Sequence, residues 1–234
     1  MQDHHYLARR NQIEHYFDRT AVQAWERLTS TAPVGRIRAT VRAGRDRMRE
    51  SLLSWLPERM DGLRLLDAGC GTGALAQIAA ERGAHVVAID LSPTLVNLAS
   101  ERHRLTTRPM SGRIDFRSGD MLGEELGSFD HVVAMDSLIH YDTAHIVQAL
   151  GRLSLRTRGS MLFTFAPRTP LLAAMHRVGR LFPRSDRSPA LAPQPEGRLR
   201  EALEAALGPS GWSEGRSQRV ASGFYTSQAW EWKR

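Results

Sequence analysis

Leu65-Leu66-Asp67-Ala68-Gly69-Cys70-Gly71-Thr72-Gly73 runs an apolar segment into three alternate glycines, and Val86-Val87-Ala88-Ile89-Asp90 follows as a second apolar run ending on an acid. Leu63 to Leu66 reads as a strand buried on both faces. Ala74 to Arg82 reads as the helix after it, with Leu75, Ile78 and Ala79 on one side and Gly83 able to end it. These pieces make the first half of a βαβ unit. Alternate glycines let the backbone turn sharply and let a ligand lie against it without meeting a Cβ atom. Asp90, about 20 residues beyond the loop, stands where an open α/β sheet presents a carboxylate to the hydroxyls of a ribose. The spacing Gly69, Gly71, Gly73 departs from the G-x-G-x-x-G of dinucleotide sites. Asp67 at the mouth would repel a pyrophosphate, whereas it can pair with an ammonium group.

S-adenosylmethionine carries both an ammonium group and a ribose. The run of acid, small residue and Gly-x-Gly-x-Gly resembles the first motif of the class I methyltransferases, and the resemblance implies S-adenosylmethionine as cofactor. The rest of the chain continues the alternation of strand and helix. Ser92 caps a helix with Pro93 in its first turn and Leu95, Leu98 and Ala99 facing inward. A third strand, Arg113 to Arg117, leads to Ser118-Gly119-Asp120-Met121, which resembles the adenine-binding turn of the same family: an acid for the amino group and an apolar side chain for the ring face. A fourth strand spans Asp130 to Asp136 and a fifth Ser160 to Phe165. Five such strands indicate a parallel sheet with ligands at its carboxyl edge, where Asp90, Asp120, Asp136 and His140 would gather. A helix near Arg198 to Leu207 and terminal strands around Trp212 to Arg219 and Ser222 to Trp232 complete the expectation. The fold is α/β, a Rossmann-like class I methyltransferase with a mostly parallel seven-stranded sheet, an antiparallel C-terminal pair and an N-terminal helical arm.

At 234 residues the chain holds one substantial core and an appendage. Hydrophobic residues make up 41%, and the mean hydropathy of -0.37 is that of a globular protein. No apolar run approaches the roughly 20 residues that span a bilayer, and Met1 to His5 lacks the pattern of a signal peptide, so the expected location is the cytoplasm. Cys70 is the single cysteine, which excludes an intramolecular disulfide or a cysteine-based metal site. It reads as a small residue in a tight turn. The net charge of +7 invites a nucleic-acid reading. Lys233, however, is the only lysine among 32 basic residues, a bias that reads as codon usage. No RNA-binding module or aromatic-basic interleaving is visible, so no nucleic-acid partner is expected.

Ahead of the core, residues 1–57 form a helical arm or lid; residues 58–234 form the methyltransferase core, with a lid-like insertion at about 168–197. Within the arm, one helix is expected over Glu14 to Leu28 and another from Val34 to Trp55, parted near Thr31-Ala32-Pro33. On the second, Arg38, Arg42, Arg45 and Arg49 step by four, three and four along one face. Such a face is either solvated surface or a wall for an acidic substrate. The insertion holds a short apolar helix, Leu171 to Leu181, and then the Pro- and Ser-rich Phe182 to Pro189.

Tyr16-Phe17-Asp18-Arg19-Thr20-Ala21 with Trp25, Gly44-Arg45, Met48-Arg49, Met135 to Tyr141, Phe165-Ala166-Pro167 and Leu181 to Ser185 together resemble the magnesium-protoporphyrin IX O-methyltransferases of bacteriochlorophyll-making bacteria. That resemblance implies methyl transfer to a propionate of magnesium protoporphyrin IX, giving the 13-monomethyl ester. Magnesium then enters only as part of the substrate, and no protein metal site is expected. The resemblance places cofactor contacts on Asp67, Ala68, Gly69, Gly71, Asp90, Leu91, Asp120, Met121, Met135 and Asp136. For that chemistry His140, Tyr141 and Tyr16 are the candidates to orient the reacting carboxylate, His140 reading alternatively as a ligand of the substrate's magnesium or as a structural residue; an arginine is better used on the other propionate, for which Arg38, Arg42, Arg45, Arg49, Arg168 and Arg184 are the candidates. It also implies work beside the photosynthetic membrane and a porphyrin received from magnesium chelatase. A quinol-type O-methyltransferase, an RNA methyltransferase and a porphyrin carrier without turnover remain the alternative readings.

Overall fold

The computed structural model describes residues 4–16, 18, 35–168 and 191–234. Arg184, the helix expected over Leu171 to Leu181 and most of the helix expected over Glu14 to Leu28 lie outside these residues.

Strand β1 (Arg64–Ala68) is buried from Leu65 onward and pairs in parallel with β2 (His85–Asp90), Leu65 opposite Val86 and Ala68 opposite Ile89. Runs buried on both faces belong inside a parallel sheet. β4 (Phe129–Ala134) and β5 (Thr157–Phe165) follow the same rule, while β3 (Arg113–Ser118) alternates exposed and half-buried residues at the edge. With β6 (Ser213–Ser222) and β7 (Tyr225–Lys233) the order is β3-β2-β1-β4-β5-β7-β6, with β7 antiparallel to both β5 and β6. The chain reverses direction across the sheet between β1 and β4, which is where an open α/β sheet forms its ligand crevice. The fourth strand ends two residues earlier than the sequence suggests, because Asp136 adopts a positive φ of 56° and turns the chain out of the sheet.

Helices cover both faces. α1 (His4–His15) begins ten residues before the helix expected at Glu14; HHYLARRNQIEH has no apolar stripe to announce it. Its Ile13 is buried in the same core cluster as Leu138 and Tyr141. α2 (Arg36–Ser54) buries Gly44, Met48, Leu52 and Leu53. α3 (Ala74–Glu81) and α4 (Pro93–Arg104) flank the first strands, and the Ser92 hydroxyl accepts the Leu95 N–H at 3.2 Å, as expected of a cap. Asp18 adds a second cap from the arm: its Oδ1 accepts from the Thr94 N–H at 3.2 Å and from the Ser92 and Thr94 hydroxyls. α5 (Thr143–Ser154) and α6 (Glu196–Leu207) complete the opposite layer. No helix among the described residues is long and apolar enough to cross a membrane.

The end of α2 is fastened to the C-terminal strands by a buried carboxylate. Arg216 donates to both oxygens of Glu231, at 2.8 and 2.6 Å, and to the Trp55 carbonyl at 2.7 Å. Burial pushes the Glu231 pKa up, but the hydrogen bonds and charge of Arg216 outweigh it and hold the group below its ordinary value of 4.5. A depressed folded pKa contributes stability above the unfolded value that disappears as pH falls through the folded one. Arg216→Ala is therefore expected to cost about 2 kcal/mol of unfolding free energy at neutral pH. In urea titrations the deficit should shrink as pH falls from 4.5 through the depressed folded value of Glu231, where wild type takes up the proton as well.

Candidate active site

The loop after β1 holds Gly69, Gly71 and Gly73 at φ of 84°, 53° and 78°. These are left-handed values that favour glycine. At Gly69 the demand is doubled, since a Cβ there would sit 2.4 Å from the Ser137 Cβ. The loop is tied to β2: the N–H groups of Gly69 and Cys70 donate to the Ile89 carbonyl, and Gly71 N–H donates to Asp90 Oδ2 at 2.8 Å. The other Asp90 oxygen accepts from Ser92 N–H at 3.0 Å. A carboxylate has about four lone-pair sites, so with the N–H groups of Gly71, Leu91 and Ser92 on it Asp90 keeps capacity for a ribose hydroxyl. Cys70 is buried, and burial pushes its thiol up, so it stays protonated and inert.

Asp67 is 2% exposed, and its Oδ2 has no hydrogen-bond partner among the described residues. Burial above all, with the nearby charge of Asp90, pushes its pKa up to about 7 against the pull of the Ala76 N–H. A buried carboxylate with an unmatched oxygen is unfavourable until a cation reaches it. The Ser137 hydroxyl, packed on Gly69, is likewise buried without a partner among the described residues. An acid with one unmatched oxygen and a hydroxyl without a partner among the described residues, both at one loop, fit the ammonium and carboxylate of an amino-acid end, which S-adenosylmethionine has.

The turn after β3, the expected seat of the adenine, borders a cleft of about 240 Å³ lined by Arg10 and Glu14 of α1, Leu91 and Pro93 after β2, and Ser118, Gly119 and Asp120. Asp120 Oδ1 accepts from Leu122 N–H at 2.9 Å, and Oδ2 lies 3.4 Å from Arg10 Nη1. Met121 is buried. Three successive carbonyls of this turn are held from α5 and the residue before β5. Arg156 donates to those of Met121 and Gly123, and Arg152 to that of Leu122 at 3.4 Å. Arg10, Arg152 and Arg156 escape sequence reasoning because nothing distinguishes them from the other arginines. Arg156→Ala frees two carbonyls and should raise the dissociation constant of S-adenosylmethionine roughly tenfold by calorimetry, about 1.4 kcal/mol.

Beyond β4 the chain carries Met135, buried, then Asp136, Ser137 and a turn closed by Tyr141 N–H on the Leu138 carbonyl. His140 and Tyr141 are both buried at 4% exposure. Gln194, expected within a loose insertion, is buried and clips this segment. Its side chain donates to the Tyr141 carbonyl at 2.9 Å and accepts from the Thr143 hydroxyl at 2.7 Å, and its backbone bridges Pro167. The structure thus gathers Asp67, Ala68, Gly69, Gly71, Asp90, Leu91, Asp120, Met121, Met135 and His140 along one sheet edge. Tyr16 is half-buried at the end of α1. The arginines separate: Arg38 and Arg168 are exposed and Arg42 half-buried, whereas Arg45 lies 3.7 Å from Asp136 and Arg49 pairs with Asp46 at 2.7 Å. The Asp136 carboxylate is engaged by Tyr225, Arg45 and Thr164, and Arg49 has a partner within its own helix.

Comparison with known proteins bears on this edge and on the arm together. The family described as "Magnesium-protoporphyrin IX methyltransferase C-terminus" matches residues 134–234, and a general methyltransferase-domain family matches 65–158. A magnesium-protoporphyrin O-methyltransferase of Rhodobacter capsulatus is 45% identical over 97% of this chain and 98% of its own length. The chain belongs to the magnesium-protoporphyrin O-methyltransferase family. A crystal structure of the Synechocystis magnesium protoporphyrin IX methyltransferase with bound SAH superposes with a TM-score of 0.82 at 27% identity, covering 96% of this chain and 99% of that one. A ubiquinone biosynthesis O-methyltransferase of Xanthomonas oryzae is 39% identical over only 56% of the chain. The magnesium-protoporphyrin methyltransferase match from Ala134 onward takes in Ser137, His140, Gln194 and Tyr225.

Proposed function

We propose that this protein transfers the methyl group of S-adenosylmethionine to one propionate carboxylate of magnesium protoporphyrin IX, giving the 13-monomethyl ester in (bacterio)chlorophyll synthesis. The observation that carries the reading is a 45% identical relative of that activity aligned along 97% of the chain. Asp67 Oδ2 and the Ser137 hydroxyl, buried at the glycine loop without partners among the described residues, support the cofactor assignment.

A propionate has a pKa near 4.3 and is an anion at neutral pH, so no strong base is required. S-adenosylmethionine supplies an electrophilic methyl group on a sulfonium. A carboxylate lone pair forms the new C–O bond as the C–S bond breaks, leaving an ester and a neutral thioether. Two charges vanish together, and a dry site favours that step. What the chain must do is hold one oxygen in line at about 3 to 3.5 Å. His140, Tyr141 and Tyr16 orient the acceptor, and the burial of the first two suits exclusion of water. An arginine on the reacting oxygen would stabilise the very anion that has to react. Arginines are better placed on the second propionate, for which Arg38, Arg42, Arg45, Arg49, Arg168 and Arg184 are the candidates.

The arm over 1–57 and the insertion at about 168–197 form the porphyrin walls in this reading. Magnesium chelatase is the proposed donor of the flat apolar substrate, and a membrane surface the proposed workplace. The exposed apolar side chains of Ile37 (58%), flanked in the chain by Arg36 and Arg38, and Phe224 (56%) support the latter.

Purified protein with S-adenosylmethionine should convert magnesium protoporphyrin IX to a monomethyl ester faster than it methylates metal-free protoporphyrin, a quinol or bulk tRNA. Methyl groups appearing on the quinol or tRNA while the porphyrin stays unchanged would overturn the substrate assignment.

A further inference from the structure

Asp136 is the one non-glycine residue with positive φ among the described residues. Such a conformation is sparsely populated and persists where surroundings over-determine it. Here they do. The Asp136 N–H donates to Thr164 Oγ1 at 2.7 Å, and the same hydroxyl donates to Asp136 Oδ1 at 3.2 Å. The Tyr225 hydroxyl reaches both carboxylate oxygens, at 3.1 and 3.3 Å, and Arg45 Nε stands 3.7 Å from Oδ2. The carboxylate side chain is only 6% exposed. β5, β7 and α2 therefore meet on one residue.

The parts are held from behind as well. A Cβ on Gly44 would lie 2.5 Å from Tyr225 Cδ1, so α2 presses against the ring and leaves it little room. Burial, and then the charge of Asp136, push the Tyr225 phenol up, which keeps it a donor at all ordinary pH. Immediately after the turn, Ser137 packs on Gly69 of the cofactor loop. The angle taken at Asp136 consequently decides how 137–141 lies against the glycine loop.

We infer that Tyr225 and Arg45 are positioning residues for methyl transfer: by fixing Asp136 in its left-handed turn they set the 137–141 segment, with His140, against the cofactor loop. Neither residue needs to touch the cofactor for this. The inference rests on the methyltransferase reading and adds that the acceptor side of the site is aligned from α2 and β7.

Tyr225→Phe keeps the ring and removes one hydroxyl. It should lower kcat for the porphyrin about tenfold, in line with the sensitivity of in-line transfer to small displacements, while the dissociation constant of S-adenosylhomocysteine stays within twofold of wild type. Arg45→Gln should act similarly, and the double variant should be little worse than either single one, since both act through Asp136. Hydrogen exchange supplies a readout independent of substrate: amides of 137–141 should exchange at least several-fold faster in Tyr225→Phe, with β1 and β4 unchanged. An unchanged kcat, a weakening of S-adenosylhomocysteine that matches the kcat loss, additive losses in the double variant, or unaltered exchange over 137–141 would each overturn the inference. If wild type leaves the porphyrin unmethylated, the substrate assignment falls, and the exchange result still decides the positioning role.

Discussion

Asp67→Asn is expected to weaken S-adenosylmethionine binding on the order of a hundredfold at pH 7, about 2.7 kcal/mol, the loss typical of removing one partner of a buried charge pair. The same change should abolish a pH dependence that wild type shows. In the ligand-free protein Asp67 titrates near 7 because it is buried, and an ammonium group binds its ionised form. Wild-type affinity should therefore rise roughly tenfold between pH 5.5 and 7 and then level, since the α-amino group of the ligand itself loses its proton near 7.7 to 8.0. Calorimetry in two buffers of different ionisation enthalpy should detect proton release on binding at pH 6. S-adenosylhomocysteine, which shares the ammonium and lacks the sulfonium, should behave alike.

Asp67 also carries a stability consequence of opposite sign. A carboxyl whose folded pKa is raised from 3.8 to about 7 favours folding fully below the unfolded value, and the benefit is lost as pH rises through the folded one. At pH 8 the ligand-free Asp67→Asn protein should thus be more stable than wild type by about 1 to 2 kcal/mol, the buried amide offsetting part of the relief. Gain of stability with loss of binding is the expected mark of a residue kept for function. Equal or lower stability of the variant at pH 8 would show that Asp67 is already paired.

Gly69→Ala should eliminate methyl transfer. The backbone there is left-handed at φ 84°, and the added methyl would meet Ser137 Cβ at 2.4 Å, where two loops of the site touch. The combined strain and displacement should cost about 3 kcal/mol of stability and at least a hundredfold in cofactor affinity. Gly62→Ala separates the causes, for it has a similar φ of 75° and nothing within 4 Å. It should lose about 1 kcal/mol and retain full activity. Thermal unfolding and S-adenosylhomocysteine titration of both variants check the pair.

What local chemistry could announce was legible in the chain. Two apolar runs flanking alternate glycines specify a buried βα turn with left-handed positions, and Ser92-Pro93 specifies a helix start, because these depend on sterics and caps within a few residues. Asp67 and Asp90 followed from their distance to the glycines. α1 was not legible: its sequence lacks a stripe, and it is held by Ile13 in the core and Arg10 on Asp120.

Polar partnership was the other thing hidden. Arg156 on the turn after β3, Gln194 on the Tyr141 carbonyl and Tyr225 on Asp136 join residues 35, 53 and 89 positions apart. Nothing local distinguishes Arg156 from Arg158, which is largely exposed on the same stretch of chain. The amino-acid sequence by itself determined the doubly wound sheet, the glycine loop and the acids at its mouth, because each arises from periodicity, sterics or spacing along the chain. Which neighbours each arginine meets, and which way the chain leaves β4, only the tertiary structure decided. Identical side chains differ there only by the neighbours that packing brings within reach.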